Sequence, residues 1–145
     1  MTQAIESLAL FQQLRLRQVD SLTGELGQQK SLCQRYQRTL AALAGLYEST
    51  RQPEGGLAIQ LNNQCGYKHH IQRLIDWQKQ EQILADKQQQ RLQRLLLAEA
   101  RREKAVECVL NEQYLAQSRE TQRREQKVTD AQSVQCWVRL QALKK

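Results

Sequence analysis

The sequence predicts an all-α protein, two long helices in an antiparallel coiled-coil hairpin with the second helix longer than the first. Three observations predict it. The 145 residues include 26 Gln and 22 Leu against one Pro, one Phe and six Gly, which is helix-former usage without strand or turn formers. The hydrophobic share is 40% and the mean hydropathy −0.73, too little large apolar side chain to fill a three-dimensional core but enough for one narrow seam. Apolar residues recur in 3-4 alternation on both sides of a single break, the spacing by which one helix packs along another.

The first helix is expected over about 3–50. Its seam reads Val19, Leu22, Leu26, Gln29, Cys33, Tyr36, Leu40, Leu43 and Tyr47, with Gln29 the one polar member. Upstream the register reaches Ile5 and Leu8 and then meets Gln12 and Arg15, while Phe11, Leu14 and Leu16 fall beside it and widen the apolar face. The break is Glu48 to Gly56, which holds the only Pro, Pro53, and the pair Gly55-Gly56. Proline removes a helical hydrogen bond and paired glycines carry a large entropy cost, so a helix should stop here. Asn62-Asn63-Gln64-Cys65-Gly66 reads as a weaker break, which makes 57–66 either a loosely helical bridge or part of a long connection, with loop and bridge together over about 51–66.

The second helix is then expected over about 67–143. The same spacing gives Ile71, Leu74, Gln78, Glu81, Ala85, Gln88, Leu92, Leu95, Glu99, Arg102, Val106, Val109, Gln113 and Ala116, a seam about half polar. From Gln117 to Ser133 the apolar residues are Val128 and Ala131, the composition of a helix that is solvated or waits for a partner. Val134, Trp137, Val138 and Leu140 restore an apolar patch. Helices joined by a short connection fold back antiparallel, which puts the whole of 1–145 in one coiled-coil domain with both termini at one end.

The longest apolar stretch, around Leu95-Leu96-Leu97-Ala98, falls far short of the ~20 residues of a membrane span, and the start lacks the basic and apolar regions of an export signal. A cytoplasmic location follows, in which Cys33, Cys65, Cys108 and Cys136, none in a Cys-x-x-Cys pair, are free thiols. Net charge is +7, divided +1, +2 and +4 over residues 1–50, 51–100 and 101–145. Such a balance favours acidic partners without choosing among nucleic acid, acidic membrane and acidic protein.

The residues give little support to catalysis. His69-His70 with Cys65 offers at most three ligands beside a glycine, an incomplete set for a tetrahedral metal. No nucleophile elbow and no phosphate-binding glycine loop is present, and a two-helix seam offers no concavity in which a pKa could shift. Neither catalytic residues, metal nor cofactor is expected. The pairs Arg101-Arg102, Arg123-Arg124 and Lys144-Lys145 could meet phosphates, yet Glu99, Glu103, Glu107, Glu120 and Glu125 interleave with most of them as on an ordinary exposed helix. Aromatic stacking platforms are missing there, which argues against nucleic acid as the partner. Tyr36, Tyr47, Tyr67 and Trp77 gather toward the loop, and exposed aromatics on a slender helical pair are a protein-contact signature.

Tyr67-Lys68-His69-His70-Ile71-Gln72-Arg73-Leu74 resembles the Tyr-x-x-Phe-Ile-x-x-Leu opening of the second helix in the FliJ family, the stalk of the flagellar type III export ATPase complex. Arg102-Glu103-Lys104 is similar too, and Glu125-Gln126-Lys127-Val128-Thr129-Asp130 resembles the family's late Gln-Lys-x-x-Asp-Glu segment. The resemblance extends over nearly the full chain. It implies a non-enzymatic, rotor-like stalk whose terminal coiled coil enters the hexameric export ATPase ring while the hairpin side contacts the cytoplasmic domain of the export gate membrane protein. It implies export chaperones as further partners, and a cytoplasmic protein held peripherally at the inner membrane by the apparatus. Carried over by position, the gate contact corresponds to Tyr47, His70, Leu74, Trp77 and Glu81, with Leu40 and Ala44 nearby; His70 and Trp77 depart from the family's Phe and Ala. For the ring, the terminal end offers Leu8, Phe11, Leu14 and Leu16 facing Val128, Val134 and Trp137 across a sparse seam, with Arg123, Arg124 and Lys127 outside. The equivalent stalk of a virulence export system remains open, as do a basic nucleic-acid-binding coiled coil and a passive dimerising spacer.

Overall fold

A computed structural model describes residues 2–50 and 58–144. They form two helices, α1 from Thr2 to Ser49 and α2 from Ala58 to Ala142, packed as a hairpin with α2 the longer. The all-α antiparallel hairpin is therefore the fold. Pro53 and Gly55-Gly56 lie outside the described residues. The last carbonyls of α1 accept hydrogen bonds from its closing hydroxyls, Leu46 from Ser49 Oγ at 2.8 Å and Tyr47 from Thr50 Oγ1 at 2.7 Å. These bonds satisfy acceptors that the end of a helix leaves open.

Helix α2 begins at Ala58, not near Tyr67. Asn62, Asn63 and Gly66 are helical, so of the two readings of 57–66 the helical one holds from Ala58 on, continuous with the rest of α2. A lone glycine costs a helix only about 1 kcal/mol relative to Ala, and packing recovers it. Gln64 and Lys68 are half-buried, and the Lys68 Nζ lies 6.0 Å from the centre of the Tyr47 ring, so the early turns of α2 already face α1.

The chain forms two compact units, one of residues 17–100 and one of residues 1–16 with 101–145. In the first, every expected α1 seam residue from Val19 to Tyr47 is buried or half-buried. Gln29, Cys33 and Tyr47 meet Ala85, Asp86 and Lys68 in turn, so over this segment the two helices run in opposite directions. On α2 the seam is Ile71, Ile75, Gln78, Gln82, Ala85, Gln89, Leu92 and Leu96. Ile71, Gln78, Ala85 and Leu92 were expected; the alternate positions are shifted by one. Ile75 is 9% exposed where Leu74 is 47% exposed, and Gln88 and Leu95 likewise stand outside. The neighbours in Leu74-Ile75 and Leu95-Leu96 are both apolar, so spacing alone accommodates either phase. The packed phase buries β-branched Ile75 beside Ile71, one turn apart on the same face.

In the second unit Ile5 and Leu110 are buried, Leu8, Gln12 and Val106 half-buried, and Gln12 Nε2 donates to Glu103 Oε1 at 3.3 Å. Here too the alternate position is Leu110, with Val109 exposed. From Ser118 to Lys144 every described residue is exposed. The expected facing of Leu8, Phe11, Leu14 and Leu16 toward Val128, Val134 and Trp137 is therefore corrected. Gln12 meets Glu103, which in an antiparallel register brings the first turns of α1 near residue 113, well before Val134 and Trp137 on α2. Local bonds support those turns. Arg124 Nε pairs with Glu120 Oε1 at 3.0 Å, and the hydroxyls of Thr121, Thr129 and Ser133 donate to carbonyls four residues back.

Candidate functional site

Two sets of side chains are candidates, one in each unit. In the 17–100 unit, His70, Leu74 and Trp77 project from one face of α2 because three- and four-residue steps return to the same side of a helix. With Arg73 they line a shallow open depression beside the seam. His70 is exposed, as is Trp77 at 54%, while Glu81, one turn on, is half-buried. An indole this exposed offers a large apolar surface with one hydrogen-bond donor, the chemistry of a contact anchor. Tyr47 belongs to the seam of α1, its ring facing the Lys68 ammonium. Leu40 is half-buried and Ala44 exposed. Thus the structure gathers His70, Leu74 and Trp77 on one surface and sets Tyr47 between the helices.

In the terminal unit Leu8 is half-buried, while Phe11 and Leu14 are exposed. The Arg15 guanidinium lies 5.0 Å from the centre of the Phe11 ring, which holds a cation over an aromatic face at the surface. Arg123, Arg124 and Lys127 are exposed, as are Val134 at 61% and Trp137 at 62%. Trp137 lines an open depression with Gln141, Ala142 and Lys144. These residues sit on the part of α2 that runs past the seam, where every described residue from Ser118 to Lys144 is exposed.

The buried chemistry is structural. Burial, then the hydrogen bond of Cys33 to Asp86 and the charge of that carboxylate, raise the thiol above its ordinary 9.0 and keep it protonated. Cys65, Cys108 and Cys136 are free and exposed. Lys104, fully exposed, is raised by its ion pair with Glu107. Among the described residues no three His, Cys, Asp or Glu converge to hold a metal, and no helix is long and apolar enough to cross a membrane.

A two-helix hairpin presenting an aromatic face on one unit and a lone aromatic and basic helix on the other defines a coiled-coil contact protein. The family model of the flagellar FliJ protein matches residues 4–142, spanning both helices. The chain belongs to that family, a structural component of the flagellar export apparatus. No curated protein and no solved structure matches it.

Proposed function

We propose that the protein is the rotor-like stalk of the flagellar export ATPase. The lone end of α2, with the start of α1, enters the hexameric ring, while the face of His70, Leu74 and Trp77, with Tyr47 and Glu81, meets the cytoplasmic domain of the export gate. The observation that carries this reading is the run of α2 past its seam, where Trp137, Val134, Arg123, Arg124 and Lys127 all stand in solvent. A helix that leaves Trp137 and three valines, Val128, Val134 and Val138, exposed is stabilised when a pore closes around it, since burying a large apolar side chain contributes roughly 1.5–3 kcal/mol. Export chaperones are further partners on this reading, and the protein works in the cytoplasm at the inner membrane, held by its contacts. It has no chemistry of its own to perform. Mixing purified protein with the cognate ATPase should increase ring assembly and ATP turnover in a saturable way; unchanged turnover across a range of molar ratios would refute the reading.

A further inference from the structure

The largest share of the net charge belongs to the last third of the chain, where the cations alternate with carboxylates as far as Asp130. A further run of cations with little acidic company lies in α2 between Glu81 and Glu99. In that interval the sole acidic residue is Asp86, and its carboxylate accepts the Cys33 thiol hydrogen bond across the seam. Lys87, Arg91 and Arg94 are exposed, and among the described residues none of them has an ion-pair partner. At about 100° per residue they share with Leu84, Leu95 and Ala98 a stripe about 100° wide, centred about 150° around α2 from the seam. Leu84 is 60% exposed and Leu95 44%. The positions 84, 87, 91, 94 and 98 repeat the 3-4 alternation by which one helix reads another, with Leu95 beside them, and all lie in one compact unit.

We propose that this stripe docks an acidic amphipathic helix of a partner protein. Leucine-type side chains of the partner seat against Leu84, Leu95 and Ala98, and its Asp and Glu residues pair with Lys87, Arg91 and Arg94. Charge complementarity selects this occupant. Three cations without an ion-pair partner among the described residues attract an acidic surface and repel a second copy carrying +7. An anionic bilayer would ask for a wide apolar face sunk several ångströms into the headgroups, whereas two leucines and an alanine make a narrow line. The stripe continues along α2 from the face of His70, Leu74 and Trp77, since Trp77, Glu81 and Leu84 follow in four- and three-residue steps.

The test is fluorescence anisotropy on the full-length protein with a labelled helical peptide carrying Leu at 3-4 spacing and Glu on both flanks. A companion peptide carries Lys in place of Glu, and vesicles of phosphatidylglycerol and phosphatidylcholine form a third arm. The Glu peptide should bind, and Arg91→Glu with Arg94→Glu should weaken it by about tenfold or more, equivalent to about 1.4 kcal/mol. Arg119→Glu with Arg139→Glu, the same charge change elsewhere on α2, should leave the affinity as in the wild type. Equal binding of the Lys peptide, an equal loss in the second double variant, or no binding of the Glu peptide would overturn the proposal. So would flotation with the vesicles that Arg91→Glu and Arg94→Glu abolish, which would make the stripe a membrane contact.

Discussion

The side-chain amide of Gln29 on α1 donates a 2.9 Å hydrogen bond to the backbone carbonyl of Ala85 on α2. A polar residue in an apolar repeat usually weakens packing, but this one closes a bond available only at one vertical alignment of the two helices. It therefore acts on register, as single polar seam residues do in coiled coils. The Cys33 to Asp86 bond lies one turn further along α1 and holds the same alignment.

Gln29→Ala should lower the free energy of unfolding by about 1 kcal/mol, the net worth of one intramolecular hydrogen bond. Urea denaturation followed by circular dichroism reads this directly. Gln29→Leu should recover the stability through apolar burial while losing the pin, and a cysteine pair placed across the seam would then crosslink in more than one register.

The phase of the α2 seam has an equally direct consequence. Ile75→Ala should destabilise the protein by about 2–4 kcal/mol, whereas Leu74→Ala should cost under about 1 kcal/mol. Equal losses in a denaturation series would contradict the packing. Leu96 against Leu95, and Leu110 against Val109, should repeat the contrast.

The α1 seam was legible because Val19, Leu22, Leu26 and Tyr36 stand between polar or glycine neighbours, which fixes one phase that carries through to Tyr47. Helix α2 was less legible. Leu74-Ile75, Leu95-Leu96 and Val109-Leu110 each offer two adjacent apolar residues, and only contact with α1 decides which turns inward. The start of α2 was placed too late because Asn62-Asn63 and Gly66 look like turn residues, while half-buried Gln64 and Lys68 show that packing overrides that local preference. At the termini, sequence revealed an apolar patch at Val134 and Trp137 but not where α1 runs out. The Gln12 to Glu103 contact supplies that register. Charge counted by thirds also hid the uncompensated cations at Lys87, Arg91 and Arg94, which appear once Asp86 is seen to face Cys33.

Thiol reactivity should divide along burial. At mildly alkaline pH Cys65, Cys108 and Cys136 should react rapidly with a disulfide reagent, and Cys33 only as the protein unfolds. The raised Cys33 pKa also fixes a sign. The folded state holds the thiol proton more tightly than the unfolded chain, so this contribution to stability is complete below the ordinary value near 9.0 and is lost as pH rises through the higher folded value. Cys33→Ala should flatten the alkaline fall in stability, measured as the urea midpoint against pH.

The two faces should separate in function. Removing residues 134–145, or changing Phe11 and Trp137 to Ala, should reduce stimulation of the export ATPase while leaving gate binding intact. Because Trp137 is 62% exposed on α2, Trp137→Ala should change stability by no more than about 0.5 kcal/mol. Changing Tyr47, His70 and Trp77 to Ala should have the opposite functional effect, weakening binding to the gate domain in a pull-down while ATP turnover is still stimulated.

Site-specific photo-crosslinking addresses the stalk assignment most directly. A benzophenone side chain placed at position 137, and in a second protein at position 77, is irradiated with the export ATPase and the cytoplasmic gate domain together in the presence of ATP. The account predicts that position 137 forms its adduct with the ATPase subunit and position 77 with the gate domain. Adducts of position 137 with the gate alone, or of both positions with the same partner, would contradict it.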